Sequence, residues 1–337
     1  MGSTLEDVAA RAGVSRATAS RVVNGSPHVT SATREAVERA VRELRYTPNR
    51  AARSLAGSSS DTIALVVSEP SSRLFADPFF AGTVRGIAAG LADSRYQLVL
   101  LTTQADDDRP RIERHLLRGT TDGVLLLSTR RDDPLPSRLV RGGLPCVVAG
   151  RPGDDRPSIR RGVGFVDADN EGGARLAVDH LVAQGRTTIA TVGGPTDMSV
   201  GADRHEGWRA ALVDAGLKPG RELAVTADFT REGGATAAAK LLDKAPGLDA
   251  IFAASDLMAV GVLDTLRRQG RVVPDDVAVV GFDDSELALS TDPPLTTVRQ
   301  PIEQIGRTMA EQLLAQLEGA SPTGTILPTS LIVRLSS

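Results

Sequence analysis

The sequence predicts an α/β protein in three parts. A three-helix head of helix-turn-helix form spans residues 1–46, a short helical connector spans 47–60, and a body of two open parallel sheets spans 61–337. Three observations carry this expectation. The stretch Thr4 to Asn24, TLEDVAARAGVSRATASRVVN, reads as two short amphipathic helices meeting at Gly13. Residues 1–57 hold nine arginines against five carboxylates, a charge of +4; since the whole chain is −3, the remaining 280 residues carry −7. From Thr62 onward, short apolar runs of strand character alternate with segments of helical period.

Taken in order, Thr4 is a cap for the first helix, with Asp7 three residues on as a weaker form of the usual Glu or Gln of a capping box. Leu5, Val8 and Ala9 share its inner face. Gly13 stops the helix, because glycine adopts a left-handed backbone at no steric cost. Ser15 caps a second helix with Ala19, Val22 and Val23 inward and Arg16, Ala17, Ser20 and Arg21 outward. Such a helix fits the major groove of B-DNA. Arg16 and Arg21 are the candidate base readers, since an arginine fork matches the O6 and N7 of guanine, and Ala17 offers a methyl contact. Thr4, Ser15, Thr18, Ser20, Asn24 and His28 carry short polar groups suited to phosphates. A plain helical hairpin with a solvated basic face is the alternative on these residues alone.

Thr30 caps a third helix running through Arg45, with Val37, Val41 and Leu44 inward. Thr47 and Pro48 start a fourth, and Gly57 followed by three serines ends it. A helix of about eight residues is marginal alone, so its order depends on a partner.

Composition narrows the class. Apolar residues at 41% and charged residues at 24% are those of a globular protein. There is no run of 18 apolar residues and no basic-then-apolar leader, so the expectation is a cytoplasmic protein without a membrane partner. Cys146 excludes an internal disulfide and reads as a buried spectator. The histidines, His28, His115, His180 and His205, lack metal-ligand spacing, and neither a GxxxxGK[ST] nor a GxSxG motif is present. No cofactor, no metal and no catalytic residue are expected.

The segments TLEDVAARAGVS, SRVVNG and TREAVERAVRELRYTPNRAARSLAG together resemble the lactose-repressor (LacI/GalR) family of bacterial transcription regulators, and the resemblance extends through the body. It implies a homodimer binding a two-fold symmetric double-stranded operator. In such proteins paired hinge helices enter the minor groove and a leucine wedges into the central base step. By resemblance the wedge is Leu55, with Ala52 and Arg53 lining the groove and Asn49 near a phosphate. An apolar wedge costs unstacking energy and is offset by a bent duplex that meets more protein.

In the body, TIALVVS, YQLVLLT, DGVLLLS and PCVVAG are expected strands of a first lobe, joined by helices PFFAGTVRGIAAGLADS and PRIERHLLRG. GVGFVD, TIATVGG, ELAVTAD, DAIFAAS and DVAVVGF form a second series, with helices near Asn170, Asp203, Thr230, Asp256 and Ser285. The family's body is a two-lobed periplasmic-binding-protein-like unit. The resemblance places residues 61–165 and 296–324 in the first lobe, and 166–295 and 325–337 in the second, with Leu295 to Gln300 and the helix Ile302 to Leu317 returning to the first.

The same resemblance puts a small-molecule effector, a mono- or oligosaccharide, between the lobes. The matching positions are Ser68, Phe79, Phe80, Asn170, Arg204, Phe229, Ser255, Asp256 and Asp283. Together they offer charged and amide groups for hydroxyls and an apolar platform for a sugar face. Other roles compete at several of them. One of Phe79 and Phe80 belongs to the core, Asp256 and Asp283 could cap the elements they precede, and Arg204 could pair with Asp203 or Glu206. Ser255 stands where the family often has asparagine. The reading is an effector-controlled repressor, with inducer and corepressor both open. The alternative is a cytoplasmic sugar-binding or sugar-processing protein with an incidental helical head.

Overall fold

The computed structural model describes residues 3–23, 28–46, 60–102, 109–153 and 162–337. Internal contacts divide the chain at residue 60 into a head and a body. The expected connector helix over 47–60 lies outside the described residues, apart from Ser60.

In the head, α1 (Leu5–Ala12), α2 (Arg16–Val23) and α3 (Ser31–Glu43) enclose a core of Val8, Ala9, Ala19, Val22, Val37 and Ala40. The start of α1 is a reciprocal capping box: Thr4 Oγ1 accepts from the Asp7 amide at 3.2 Å, and the Asp7 carboxylate accepts from the Thr4 amide at 2.8 Å. The Thr4 amide and hydroxyl, both donating to it, hold the Asp7 carboxyl below its ordinary range. Gly13 ends α1 at φ 65°, and Ser15 Oγ accepts from the Thr18 amide at 3.1 Å to start α2. Helix α3 stops at Glu43, two residues short of the expected Arg45, because Arg45 itself takes a left-handed backbone at φ 47°.

The body holds two six-stranded sheets. The first contains β1 (Thr62–Val67), β2 (Gln97–Thr102), β3 (Gly123–Leu127), β4 (Cys146–Ala149), β5 (Gly164–Ala168) and β11 (Gly324–Leu327), in the spatial order β11-β5-β4-β3-β1-β2, all parallel. The second contains β6 (Ile189–Gly193), β7 (Ala224–Thr226), β8 (Ala250–Ala253), β9 (Ala278–Asp283), β10 (Thr296–Arg299) and β12 (Ser330–Ile332), ordered β12-β10-β9-β8-β6-β7. Only β12 runs antiparallel to its neighbour in that sheet.

Helices α4 (Ser71–Ala76), α5 (Pro78–Leu91), α6 (Arg109–His115), α7 (Leu135–Arg141) and α13 (Ile302–Leu317) belong with the first sheet. Helices α8 (Asn170–Ala183), α9 (Ser199–Asp214), α10 (Arg231–Lys244), α11 (Asp256–Arg268) and α12 (Glu286–Ser290) belong with the second. None of the described helices is long and apolar enough to cross a membrane.

Two expected lobe assignments are corrected. The strand in GVGFVD pairs with β4 and β11 in the first sheet, so the second lobe begins at α8. Conversely, Thr296–Arg299 pairs with β9 in the second sheet, and only the helix after it returns to the first. The physical reason is register: both strands continue a parallel ladder already under way, and the chain changes lobe after each strand. A third crossing lies between β11 and β12. Helix α9 also starts at Ser199 instead of near Asp203, and α6 closes with a wide turn through Gly119 at φ 75°.

Glycines set the spacing of the helix pairs. A Cβ on Gly86 would fall 1.9 Å from the Glu303 carbonyl oxygen, and one on Gly306 would fall 2.1 Å from that of Thr83, so α5 and α13 pack backbone against backbone. Gly234 and Gly261 do the same for α10 and α11.

Candidate functional site

The outward face of α2 presents Arg16, Ala17 and Arg21, all exposed. Arg16 Nε lies 2.6 Å from Glu6 Oε1 on α1, an ion pair open to solvent on both sides. Such pairs are worth about 0–1 kcal/mol, so Glu6 holds the guanidinium only weakly. Thr4 and Ser15 serve as helix caps, Thr18 bonds Ser15, and Ser20 is half-buried. His28 is exposed. Asn24, Asn49, Ala52, Arg53 and Leu55 lie outside the described residues.

The second candidate is a cleft of about 700 Å³ in the body. In open parallel sheets ligands bind beyond the carboxyl ends of strands, and the lining follows that rule on both sides. Arg73 and Phe79 come after β1, Ser128 and Thr129 after β3, Gly150 after β4, and Asp167 and Asn170 at the end of β5. From the second sheet come Met198 and Ser199 after β6, Ser255 after β8, Asp283 at the end of β9 and Gln300 after β10.

At its floor lies Arg204, buried on α9. Nε donates to Asn170 Oδ1 at 2.9 Å, and Nη1 donates to the Ala254 carbonyl at 2.6 Å and stands 3.6 Å from Asp283 Oδ1. The guanidinium carbon sits 3.6 Å from the Phe282 ring centre. The alternative pairing of Arg204 with Asp203 or Glu206 does not occur: Asp203 binds Arg151 at 2.5 Å, and Glu206 binds Arg209. Burial pulls the Arg204 guanidinium down, while Asp283 and Asp167 oppose that.

Three carboxyls share this space. Desolvation raises Asp283, against the pull of Arg204; Gln300 Nε2 donates to its Oδ1 at 2.6 Å. Desolvation also raises Asp77, and raises Asp167 to about 6. Asp77 caps α5 through the Phe79 amide at 3.0 Å, and Asp167 Oδ1 accepts from Asn170 Nδ2 at 2.8 Å. The backbone is strained here as well. Of the six non-glycine residues with positive φ among the described residues, Ser128 at 57°, Phe229 at 61° and Asp283 at 122° line the cleft. Each costs of order 1–3 kcal/mol, and such strain persists where surroundings enforce a functional geometry.

Of the sequence candidates, Phe79, Asn170, Arg204, Phe229, Ser255 and Asp283 meet in the cleft. Three do not line it. Phe80 is buried in the first-lobe core, its ring edge-on to Phe79 at 5.5 Å. Asp256 is buried beneath the site, where it accepts from the Ser285 amide at 2.8 Å and from Thr297 at 2.5 Å; desolvation raises it to about 7. Ser68 follows β1 directly and bonds through its amide to the Leu127 carbonyl. Ser255 lines the cleft while its hydroxyl caps α11 through the Met258 amide at 3.2 Å.

Sequence reasoning missed Arg73, Asp77, Asp167 and Gln300. The turn DPFF carried a usable signal for Asp77, since an acid before a first-turn proline marks a helix cap facing out of a sheet's end. The lobes also touch across the cleft: Arg130 pairs with Asp197, whose carbonyl accepts from the Arg131 amide at 2.8 Å.

Comparison with known proteins agrees with this architecture. Residues 4–49 match the profile of bacterial regulatory proteins of the lacI family, and residues 178–337 match that of a periplasmic binding protein-like domain. The chain is 49% identical over 335 residues to the HTH-type transcriptional regulator CelR of Thermobifida fusca, covering 99% of this chain and 98% of that one. It is 35% identical over 323 residues to the ribose operon repressor of Escherichia coli (strain K12), covering 94% and 93%. Among solved structures, a CelR–cellobiose complex aligns with TM-score 0.80 at 47% identity, over 99% of this chain and 100% of that one. A lac repressor dimer bound to operator and an anti-inducer aligns with TM-score 0.81 at 29% identity, over 100% and 99%. A capped helix-turn-helix head on a two-lobed body, together with this identity along nearly the whole length, places the chain in the lacI family of DNA-binding transcription regulators.

Proposed function

We propose that this chain is a homodimeric repressor that acts in the cytoplasm, without a catalytic step of its own, and whose hold on a two-fold symmetric operator is set by a neutral glucose disaccharide such as cellobiose. The observation that carries the effector reading is the cleft: a buried Arg204–Asn170–Asp283 cluster flanked by the Phe79 and Phe229 rings. Arginine, amide and carboxylate supply paired donors and acceptors for hydroxyls, and the rings supply faces for the apolar side of a pyranose. The solved CelR–cellobiose complex supports that choice among sugars.

On the DNA side, Arg16 and Arg21 read base edges in the major groove with Ala17 beside them. Thr4, Ser15, Thr18, Ser20, Asn24, His28 and Asn49 hold the backbone. Residues 47–60 act as the hinge, with Ala52 and Arg53 in the minor groove and Leu55 as the wedge. Dimerisation supplies the second reader, so half-sites lie about one DNA turn apart. Effector binding changes the lobe geometry and thereby the hinge; a coupling of ~1–3 kcal/mol changes operator affinity about 5- to 150-fold.

Titrating cellobiose into the full-length protein on its operator tests the proposal. A shift of operator affinity of at least fivefold is expected. Unchanged affinity with cellobiose and with a panel of other neutral disaccharides overturns the effector assignment.

A further inference from the structure

We infer that the body carries a second contact for DNA, made by Arg114, Arg118 and Arg141 to duplex phosphates and blind to base sequence. The inference takes the head as the part that grips the duplex, as proposed above. Arg114 lies near the end of α6, Arg118 in the wide turn that closes it, and Arg141 at the end of α7. All three are exposed, and none has an ion-pair partner among the described residues. A Cβ on Gly142 would fall 2.5 Å from Leu117 Cδ2, so the two helix ends meet with Arg118 and Arg141 next to the contact. The nearby carboxylates are engaged elsewhere. Glu113 pairs with Arg138 at 2.9 Å, Asp61 with Arg95 at 3.0 Å, and Asp122 accepts from the Thr62 amide at 3.3 Å. Asp93 and Glu318 follow α5 and α13, which cover the opposite face of the sheet.

A cation at a helix end offsets the helix dipole, which gives each arginine a local role. It does not supply a counter-charge. Elsewhere in the body Arg73, Arg85, Arg175, Arg209 and Arg231 each pair with a carboxylate. Three unpaired guanidinium groups on a body of net charge −7 therefore mark one place suited to an outside anion. Position decides which anion. The carboxyl ends of the strands line the cleft, so their amino ends, where α6 and α7 finish, form the opposite pole. There the Asp122 amide donates to the Thr62 carbonyl at 2.8 Å, and Thr62 is the first residue of β1. The cluster thus adjoins the point at which the chain enters the body. The connector before it, residues 47–60, spans about 50 Å at most when fully extended. Two heads on one duplex keep both tethered poles within that reach, and phosphates supply what the arginines lack. Arginine forks suit phosphate oxygens, and such contacts carry no sequence information.

The test is salt-dependent binding of the full-length protein to a duplex it selects from a random pool and to a random duplex. The variant combines Arg114→Gln, Arg118→Gln and Arg141→Gln. A charge-matched control combines Arg175→Gln, Arg209→Gln and Arg221→Gln in the second lobe. One to three phosphates per protomer of a dimer make the slope of log affinity against log salt shallower by about 2–5 in the variant. Its affinity at low salt is expected to fall at least tenfold, by the same factor on both duplexes, while urea unfolding followed by Trp208 fluorescence matches wild type. The control is expected to keep the wild-type slope. An unchanged slope in the variant overturns the inference, and so does an equal change in the control, which traces the effect to net charge. A loss confined to the selected duplex also overturns it, since both duplexes offer the same phosphates. If wild type binds neither duplex, the reading of the head fails and this inference with it.

Discussion

Replacing Arg204 with methionine isolates the group at the bottom of the cleft. The guanidinium makes two hydrogen bonds to buried acceptors, Asn170 Oδ1 and the Ala254 carbonyl, and stands beside the buried Asp283 carboxyl. Removing one partner of a buried pair costs about 3–5 kcal/mol, because the other is left uncompensated. The loss depends on pH in a defined direction. Desolvation already raises Asp283 in the folded state, and Arg204 is the charge that pulls it back down. Without that charge the native form binds its proton more tightly than the unfolded chain does, so stability falls as pH rises through the window between the two values. Wild type falls in the same way because its own Asp283 is raised, so the deficit of Arg204→Met grows with pH only above that wild-type value and is smaller in acid than in base. Trp208, the chain's single tryptophan, is buried four residues away on the same helix and reports unfolding by fluorescence in urea. A deficit below 1 kcal/mol at neutral pH, or a deficit that grows as pH falls, would falsify the account of this cluster.

Other perturbations test separate parts. Gly86→Ala pushes a methyl into the Glu303 carbonyl and is expected to lower body stability by about 1–3 kcal/mol, with the unfolding midpoint as readout. Asp167, whose ordinary value is 3.8, is held near 6 by burial, so wild type loses stability as pH climbs from about 4 to about 6. Asp167→Asn abolishes that site's share, roughly 3 kcal/mol at 1.36 per pKa unit; denaturation at pH 4.5 and 7.5 should show the flatter profile. Arg16→Ala should cost about 1–3 kcal/mol on the specific operator and much less on random duplex; equal losses on both would confine Arg16 to phosphate contact. Leu55→Gly should abolish operator bending in a gel-phasing assay, and persistent bending removes the wedge from the mechanism.

The head was legible because its signals are local. Thr4, Gly13, Ser15 and Thr30 each declare a helix end within three residues, and each end lies where those residues place it. In the body the strands were legible as apolar runs, but their lobe was not. Nothing local distinguishes Phe165 on β5 from Val192 on β6; which ladder each joins depends on neighbours elsewhere in the chain, Gly324 beside Phe165 and Val225 and Ala253 beside Val192. The cleft followed the same division. Asn170, Arg204 and Asp283 follow motifs, whereas Arg73 and Gln300 acquire their place only when β1 and β10 deliver their ends to a common space. Phe80 and Asp256 show the converse: the right residue types sit beside the cleft, with side chains turned into the core.

The chain's three passages between lobes, after β5, β10 and β11, all leave from strands at one border of each sheet. That border acts as the fulcrum, and displacement grows with distance from it. Neighbouring strands lie about 4.8 Å apart, so β1, four places from the border strand β11, stands about 19 Å out. A swing of about 10° moves it about 3 Å at that spacing. The polypeptide enters the body at β1. Under the proposed effector control, a modest tightening around a sugar would thus reach, with leverage, the strand by which the chain enters the body.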